Sequence, residues 1–174
     1  MNKKTSHRDN KVDATHPRVR LSGDRGGEIG KLRGALYTHA FTHIKTAYDN
    51  GYYAECVTLL DSMMTDRIDA YVQFLLHEDD KQYASESLHY SLKSFGSATK
   101  EKNVRDEEFK GIYNKINEWV PKRNVAIHNF VIVSSITPDD LQTRIDNLKE
   151  VVDEGLVLIR EVMAYTSKRI KIDS

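Results

Sequence analysis

The side chains best suited to chemistry in this chain are Arg123, Asn124 and His128, which fall within six consecutive residues. In an α-helix Asn124 and His128 are one turn apart on the same face, and Arg123 lies at the edge of that face. A guanidinium offers a phosphate a fixed fork of hydrogen-bond donors, and an imidazole exchanges a proton close to neutral pH. The asparagine amide can orient either of them without adding charge. This combination predicts a groove suited to a phosphodiester.

Other kinds of site find less support in the sequence. The glycines between positions 23 and 30 follow no predicted strand, which excludes a Rossmann or P-loop nucleotide site. His39 and His43 are one helical turn apart, but they lack the acid that accompanies such a pair in metalloproteases, so we expect no metal ion and no other cofactor. The single cysteine, Cys56, lies on the apolar side of a predicted helix and is expected to be an inert core thiol.

Length and composition fit one globular domain. The 174 residues are 39% hydrophobic and 30% charged, which is enough for a core and for solvated helix exteriors. No apolar stretch approaches the roughly 20 residues needed to cross a bilayer. The basic N-terminus is not followed by the apolar segment of a secretory signal. We therefore expect a cytoplasmic protein without a membrane span.

Charge is distributed unevenly along the chain. Residues 1–28 carry seven Lys or Arg against four Asp or Glu, so this segment is +3 and the rest of a neutral chain is −3. The segment has glycines, a proline and no apolar period, which predicts a disordered basic tail. Because the body has a negative balance, RNA binding requires a local patch or the tail. The other interpretation of the tail is a solvated segment that only aids solubility.

From residue 29 onward apolar residues recur at helical spacing, which predicts an all-α domain over residues 29–174. A first helix is predicted to end at Asn50-Gly51. A second helix, with the cleanest amphipathic pattern, is predicted to end at about residue 77. A shorter third helix is predicted from Ser85 to near Gly96.

Pro121 divides the region that holds the candidate residues. Proline is disfavoured in a helix interior but favourable in a first turn. We therefore predict that a fourth helix ends at Val120 and that a separate short helix covers residues 121–128. An extended piece around residues 131–133 and a long last helix capped by Thr137 complete a bundle of about five helices.

The stretch from Arg123 to His128 resembles the signature of the HEPN superfamily. In that signature four to six residues separate an arginine from a histidine, and a polar residue often follows the arginine, as Asn124 does here. Residues 51–55 and 65–68 of the predicted second helix also resemble these proteins. The resemblance covers about residues 29–170 and implies a HEPN-like helical fold.

The resemblance also implies a homodimer in which two motifs meet at a two-fold axis. Active members are metal-independent endoribonucleases that use the ribose 2′-hydroxyl as the nucleophile. His128 would then be a general acid or base, Arg123 would stabilise charge on the phosphate, and Asn124 would position one or both. Many such proteins are toxins or phage-defence effectors that cleave cellular RNA and are neutralised by an antitoxin or another protein partner. Others are inactive scaffolds.

The spacing of the motif occurs twice, because Arg33 and His39 also match it. We favour the later match because Asn124 follows its arginine, whereas a glycine follows Arg33. Two alternatives stay open. Arg123 could form an ion pair with a neighbouring helix beside a half-buried His128, or the domain could be a non-catalytic module that binds a partner protein or a nucleotide.

Asp66 and Arg67 raise a similar choice on the second helix. Surface charges are the simplest interpretation, but Arg67 interrupts the apolar side of the helix and could pair with a carboxylate near the motif. Four aromatic residues are interpreted as core or dimer surface rather than as a base-stacking platform, namely Tyr52, Tyr53, Tyr71 and Trp119.

Overall fold

The computed structural model describes residues 28–76, 87–131 and 137–172. These ranges contain no strand, which confirms the predicted all-α class. No helix within them is both long enough and apolar enough to cross a membrane. The segment predicted to be a disordered tail lies outside the described residues, apart from Glu28 at its end. The described ranges contain five helices, namely α1 (Glu28–Asp49), α2 (Tyr53–Leu76), α3 (Leu88–Glu101), α4 (Glu107–Val131) and α5 (Pro138–Ile172).

Helices α2 and α5 form the centre of the bundle. α2 packs against α1, α3 and α5, and α5 also packs along α4. The apolar stripe of α2 supplies Leu60, Met64 and Ile68, all fully buried, and burial of such a side chain contributes about 1.5–3 kcal/mol. Cys56 lies in the same core, as predicted, and burial raises the pKa of its thiol to about 11. The thiol therefore stays protonated, and unreactive, at neutral pH.

The turn between α1 and α2 lies where the sequence predicted a break. Gly51 has a φ of 77°, in the left-handed region that glycine enters without steric cost. The amides of Gly51 and Tyr52 donate to the carbonyl oxygens of Tyr48 and Ala47, at 3.0 and 2.8 Å. These bonds close the last turn of α1 and return the chain directly into α2.

Helix α3 continues beyond its predicted end. Gly96 was expected to terminate it, but the helix runs on to Glu101. A Cβ at position 96 would lie 3.3 Å from Cε2 of Tyr113, so this glycine serves the close packing of α3 against α4. The helix ends instead beside Asn103, whose φ of 54° is in the left-handed region that asparagine tolerates. The predicted start at Ser85 lies outside the described residues.

The predicted break at Pro121 is wrong, because α4 is one helix through residue 131. Pro121 lacks an amide hydrogen, so the carbonyl of Asn117 loses its helical donor. Both residues are exposed, and that carbonyl can bond to water instead. The separate helix over residues 121–128 is therefore the second half of α4. Val131 is helical rather than extended, and residues 132–133 lie outside the described residues.

Helix α5 begins as predicted, at a cap formed by Thr137. The Asp140 amide donates to the Thr137 hydroxyl oxygen at 3.2 Å, and the Thr137 amide donates to the Asp140 carboxylate at 3.0 Å. The two residues satisfy each other's free amide groups, as in a capping box. From this cap α5 runs without interruption for 35 residues.

Helix α5 lies close to both α2 and α4 where it carries Gly155. A Cβ at this position would lie 3.0 Å from Leu60 Cδ1 and 3.0 Å from Trp119 Cζ2, so a larger residue would require both neighbours to shift by a few tenths of an ångström. By contrast, a Cβ at Gly111 on α4 would have nothing within 4 Å. Glycine costs a helix about 1 kcal/mol relative to alanine. At Gly155 that cost is offset by the close approach of α5 to α2 and α4.

Candidate functional site

The candidate residues lie in the second half of α4, which Trp119 fixes to the core. The indole is 2% exposed, and its Nε1–H donates to the carbonyl oxygen of Val151 on α5 at 2.9 Å. Ala126, two turns further along α4, is also buried. The backbone that carries the candidate side chains is therefore held against α5 on both sides of Arg123.

Arg123 points towards α2 rather than into solvent. Its Nη2 lies 2.7 Å from Oδ1 of Asp61, and the two side chains are 20% and 12% exposed. The guanidinium also lies over the ring of Trp119, 5.8 Å from its centroid. The Nε–H is buried and has no hydrogen-bond acceptor among the described residues. The ion pair with a neighbouring helix, one of the two alternatives for this residue, is present.

Asn124 and His128 occupy a different side of α4. Both are exposed, and they lie one turn apart on the same flank of the helix, as their spacing predicted. His128 is therefore not half-buried, as the alternative with an ion-paired Arg123 had assumed. Val125 and Val131, close to His128 along α4, are 59% and 67% exposed. The structure thus places two of the three candidate side chains together on an open surface and turns the third towards α2.

The pair of Arg123 with Asp61 is expected to stabilise the fold. Asp61→Asn should lower the free energy of unfolding by about 1–3 kcal/mol, because the guanidinium would stay mostly buried without its carboxylate. The matched control is Asp49→Asn, which removes an exposed pair of 2.6 Å with Lys45 within α1 and should cost less. Urea denaturation of both variants measures the difference. Equal losses in the two variants would contradict a special contribution from Asp61.

Asp66 and Arg67 do not join the candidate site. The Asp66 carboxylate accepts a hydrogen bond from the Tyr37 hydroxyl at 2.6 Å and pairs with Arg33 at 3.1 Å. Burial, and then the charge of Asp66, raise the pKa of Tyr37. Arg67 donates to the hydroxyls of Thr166 and Ser167 on α5, and burial lowers the pKa of its guanidinium. Among the described residues Arg67 therefore does not form the pair with a carboxylate near the motif that was one of its two interpretations.

The second match to the motif is divided between two roles. Arg33 is engaged with Asp66, whereas His39 and His43 are exposed on the outside of α1. In the described part of the chain, no three His, Cys, Asp or Glu side chains are grouped so that they could hold a metal ion.

Among the aromatic residues, Tyr71 and Trp119 are core, as predicted. Tyr53 is partly buried and packs edge-on against Tyr48, with ring centroids 5.3 Å apart. Tyr52 is 63% exposed. Tyr52, Tyr53 and Tyr71 lie on or just before α2, and Trp119 is buried in the core, so none of the four forms a stacking platform beside His128.

Sequence reasoning missed a groove between α4 and α5 that adjoins the candidate residues. It has a volume of about 390 Å³, and its walls include Val125 and Asn129 from α4 and Asn147 and Glu150 from α5. The polar residues of α5 recur at i and i+3, a spacing that places them on one face. This pattern was visible in the sequence, but only the register of α5 against α4 shows that it faces the motif helix.

Compared with models of protein families, with curated proteins and with solved structures, the chain has no match in any of the three. The chemistry of the site is therefore inferred from its own residues.

Proposed function

We propose that this chain is a metal-independent endoribonuclease of the HEPN type, which acts as a homodimer and serves as a cytoplasmic toxin or phage-defence effector. The observation that carries the proposal is the exposed flank of α4, where His128 and Asn124 lie one turn apart, with Arg123 on the same helix but turned towards α2. Imidazole, amide and guanidinium groups on one helix can supply proton transfer, orientation and charge stabilisation to one phosphodiester.

In the proposed reaction the ribose 2′-oxygen bonds to phosphorus as the bond from phosphorus to the 5′-oxygen breaks. The hydroxyl proton is removed by a general base, and the leaving oxygen receives a proton from a general acid. His128 takes one of these roles in each copy of the chain, so a composite site of two copies can supply both. Asn124 orients the imidazole or the phosphate by a hydrogen bond.

Arg123 requires a rearrangement in this mechanism. Its guanidinium is 20% exposed and bound to Asp61, so a phosphate must share or displace that carboxylate. A guanidinium has five donors, and its pair with Asp61 leaves others for a phosphate oxygen. Two copies of the chain would bring two such guanidinium groups to one RNA strand, a local concentration of positive charge on a body whose balance outside the tail is −3 per chain.

A second candidate function is a non-catalytic module that binds a protein partner or a nucleotide. The observation that favours it is the contact of Arg123 with Asp61 and Trp119, which gives the arginine a structural role without any substrate. In that case His128 and Asn124 are part of a docking surface. A protein partner such as an antitoxin fits either function, because it could cover the exposed flank of α4.

Purified protein incubated with total RNA in the presence of a chelator distinguishes the two functions. The ribonuclease is expected to produce fragments with 2′,3′-cyclic phosphate and 5′-hydroxyl ends, and sedimentation should give the mass of a dimer. A chelator leaves the reaction unchanged because no metal takes part. Intact RNA from a dimeric preparation would overturn the ribonuclease and support the module.

A further inference from the structure

Along the contact between α4 and α5, called the seam below, charged pairs recur at a regular spacing, and one position of this series has no charged pair. Lys115 lies 2.8 Å from Glu161, and Lys122 lies 2.7 Å from Glu154. The two helices are antiparallel, and each step is seven residues, or two helical turns. The series therefore predicts the next pair seven residues further along α4, at Asn129.

At this third position the two helices carry asparagine side chains instead of a lysine and a glutamate. The register places Asn129 of α4 level with Asn147 of α5, and both line the groove of about 390 Å³. One turn away, Glu150 lines the same groove, together with Val125 and Lys122 of α4. Within the three described ranges Glu150 forms no ion pair, unlike Glu154. The pKa of Lys122 is nevertheless raised by its hydrogen bond to Glu154 and, to a smaller extent, by the charge of Glu150. The groove thus offers the Glu150 carboxylate and two amides beside the closed pair of Lys122 with Glu154.

The groove is also lined by three charged residues, Lys122, Glu154 and Arg144, and by an apolar part. Pro121, Val125 and Ala126 form the α4 side of the apolar part, and Val151 lies at the base on the α5 side. Arg144 donates to the carbonyl oxygen of Asn129 at 2.7 Å, which ties the end of α4 to α5. A flat ring could lie between such walls with its edge towards the polar groups. The volume is large enough for a nucleobase together with its ribose.

We propose that this groove binds a guanine base. Guanine presents two adjacent N–H donors, at N1 and N2, and a carbonyl acceptor at O6. The Glu150 carboxylate can accept both N–H groups, and the amide of Asn147, three residues earlier on the same face of α5, can donate to O6. Adenine and cytosine present an acceptor beside their amino group, and uracil has a single N–H between two carbonyls. Only guanine therefore satisfies the carboxylate with two parallel hydrogen bonds.

The position of the groove suggests what the base would do. Asn129 directly follows His128, about 100° further round α4, so a base in the groove lies beside the candidate flank. A strand with a guanine in the groove would cross α4 next to the imidazole. The selection of RNA sites by this groove rests on the proposed ribonuclease function, whereas binding of the base does not.

Titration of the full chain with guanosine, inosine and adenosine tests base binding directly. Backbone amide shifts in NMR spectra should change at residues 125–129 and 147–151. Guanosine should bind at least about fivefold more tightly than inosine, which lacks the N2 amino group, or adenosine. Glu150→Gln should reduce guanosine affinity by a similar factor, because one of its two acceptors is replaced by a donor.

The matched control is Glu118→Gln, an exposed carboxylate on α4 that lines the other end of the seam. It should leave guanosine binding unchanged, and thermal unfolding should show that both variants are folded. Equal affinity for the three nucleosides, no binding, or binding unaffected by Glu150→Gln would each overturn the inference. If guanosine binds through Glu150 but RNA stays intact, the proposal of a guanine site is supported and the proposed ribonuclease function is contradicted. If RNA is cut and guanosine does not bind, the ribonuclease function is supported and the guanine site is contradicted.

Discussion

His128→Ala is expected to slow RNA cleavage by about 10²–10⁴-fold, the usual contribution of one general acid or base. The side chain is exposed, so its loss removes proton transfer without opening the core. The free energy of unfolding should change by less than about 0.5 kcal/mol. Single-turnover cleavage of a defined RNA, with urea denaturation of the same preparation, measures the two quantities separately.

The control for this experiment is His39→Ala. His39 is also exposed and also follows an arginine at the motif spacing, but it lies on α1, away from Asn124. Cleavage by this variant should equal that of the wild type. The ribonuclease mechanism would be contradicted if the two histidine variants retained the same activity, or if His128→Ala lost activity only because it unfolded.

Trp119→Ala is expected to lower the free energy of unfolding by about 3–5 kcal/mol. The indole is buried between α4 and α5, donates to the Val151 carbonyl, and is in van der Waals contact with Gly155. Its removal leaves a cavity at the point where three helices meet, and glycine at position 155 has no side chain that could move into it. Urea or thermal denaturation gives the change directly.

Trp119→Phe is the informative companion variant. It keeps an aromatic ring beneath Arg123 and loses the indole N–H, so it should cost clearly less than the alanine variant. A loss below about 1 kcal/mol for Trp119→Ala would mean that the seam does not depend on this residue. A phenylalanine variant as unstable as the alanine variant would place most of the effect in the hydrogen bond to Val151.

The helical architecture was predictable because it depends on local periodicity. The apolar stripe of α2, the break at Gly51 and the cap at Thr137 are each decided by residues close together in the sequence. The two wrong boundaries, at Gly96 and Pro121, have the opposite cause. Gly96 is a glycine because Tyr113 packs against it, and Pro121 is tolerated because its side of α4 faces solvent. Neither fact can be obtained from local sequence.

The candidate site was predictable in its residue types and only partly in its geometry. Asn124 and His128 share a flank because helical spacing requires it. The attachment of Arg123 to Asp61, 62 positions earlier, depends on which of many carboxylates the fold brings within 2.7 Å. The groove beside the site depends on the register of two helices, and no pattern within either helix alone contains that information.

The contact of Gly155 with Trp119 limits how closely α5 can approach α4. There the backbone of α5 lies directly against the Trp119 ring, with no deformable side chain between them. At this contact α5 can tilt relative to α4, but it cannot approach the Trp119 ring more closely. Asn147 and Glu161 lie on α5 on opposite sides of Gly155. We therefore expect that a molecule that separates α5 from α4 beside Asn147 tilts α5 about Gly155 and brings the two helices closer beside Glu161. We expect the strength of the Lys115–Glu161 pair to report, at a distance, on what occupies the groove.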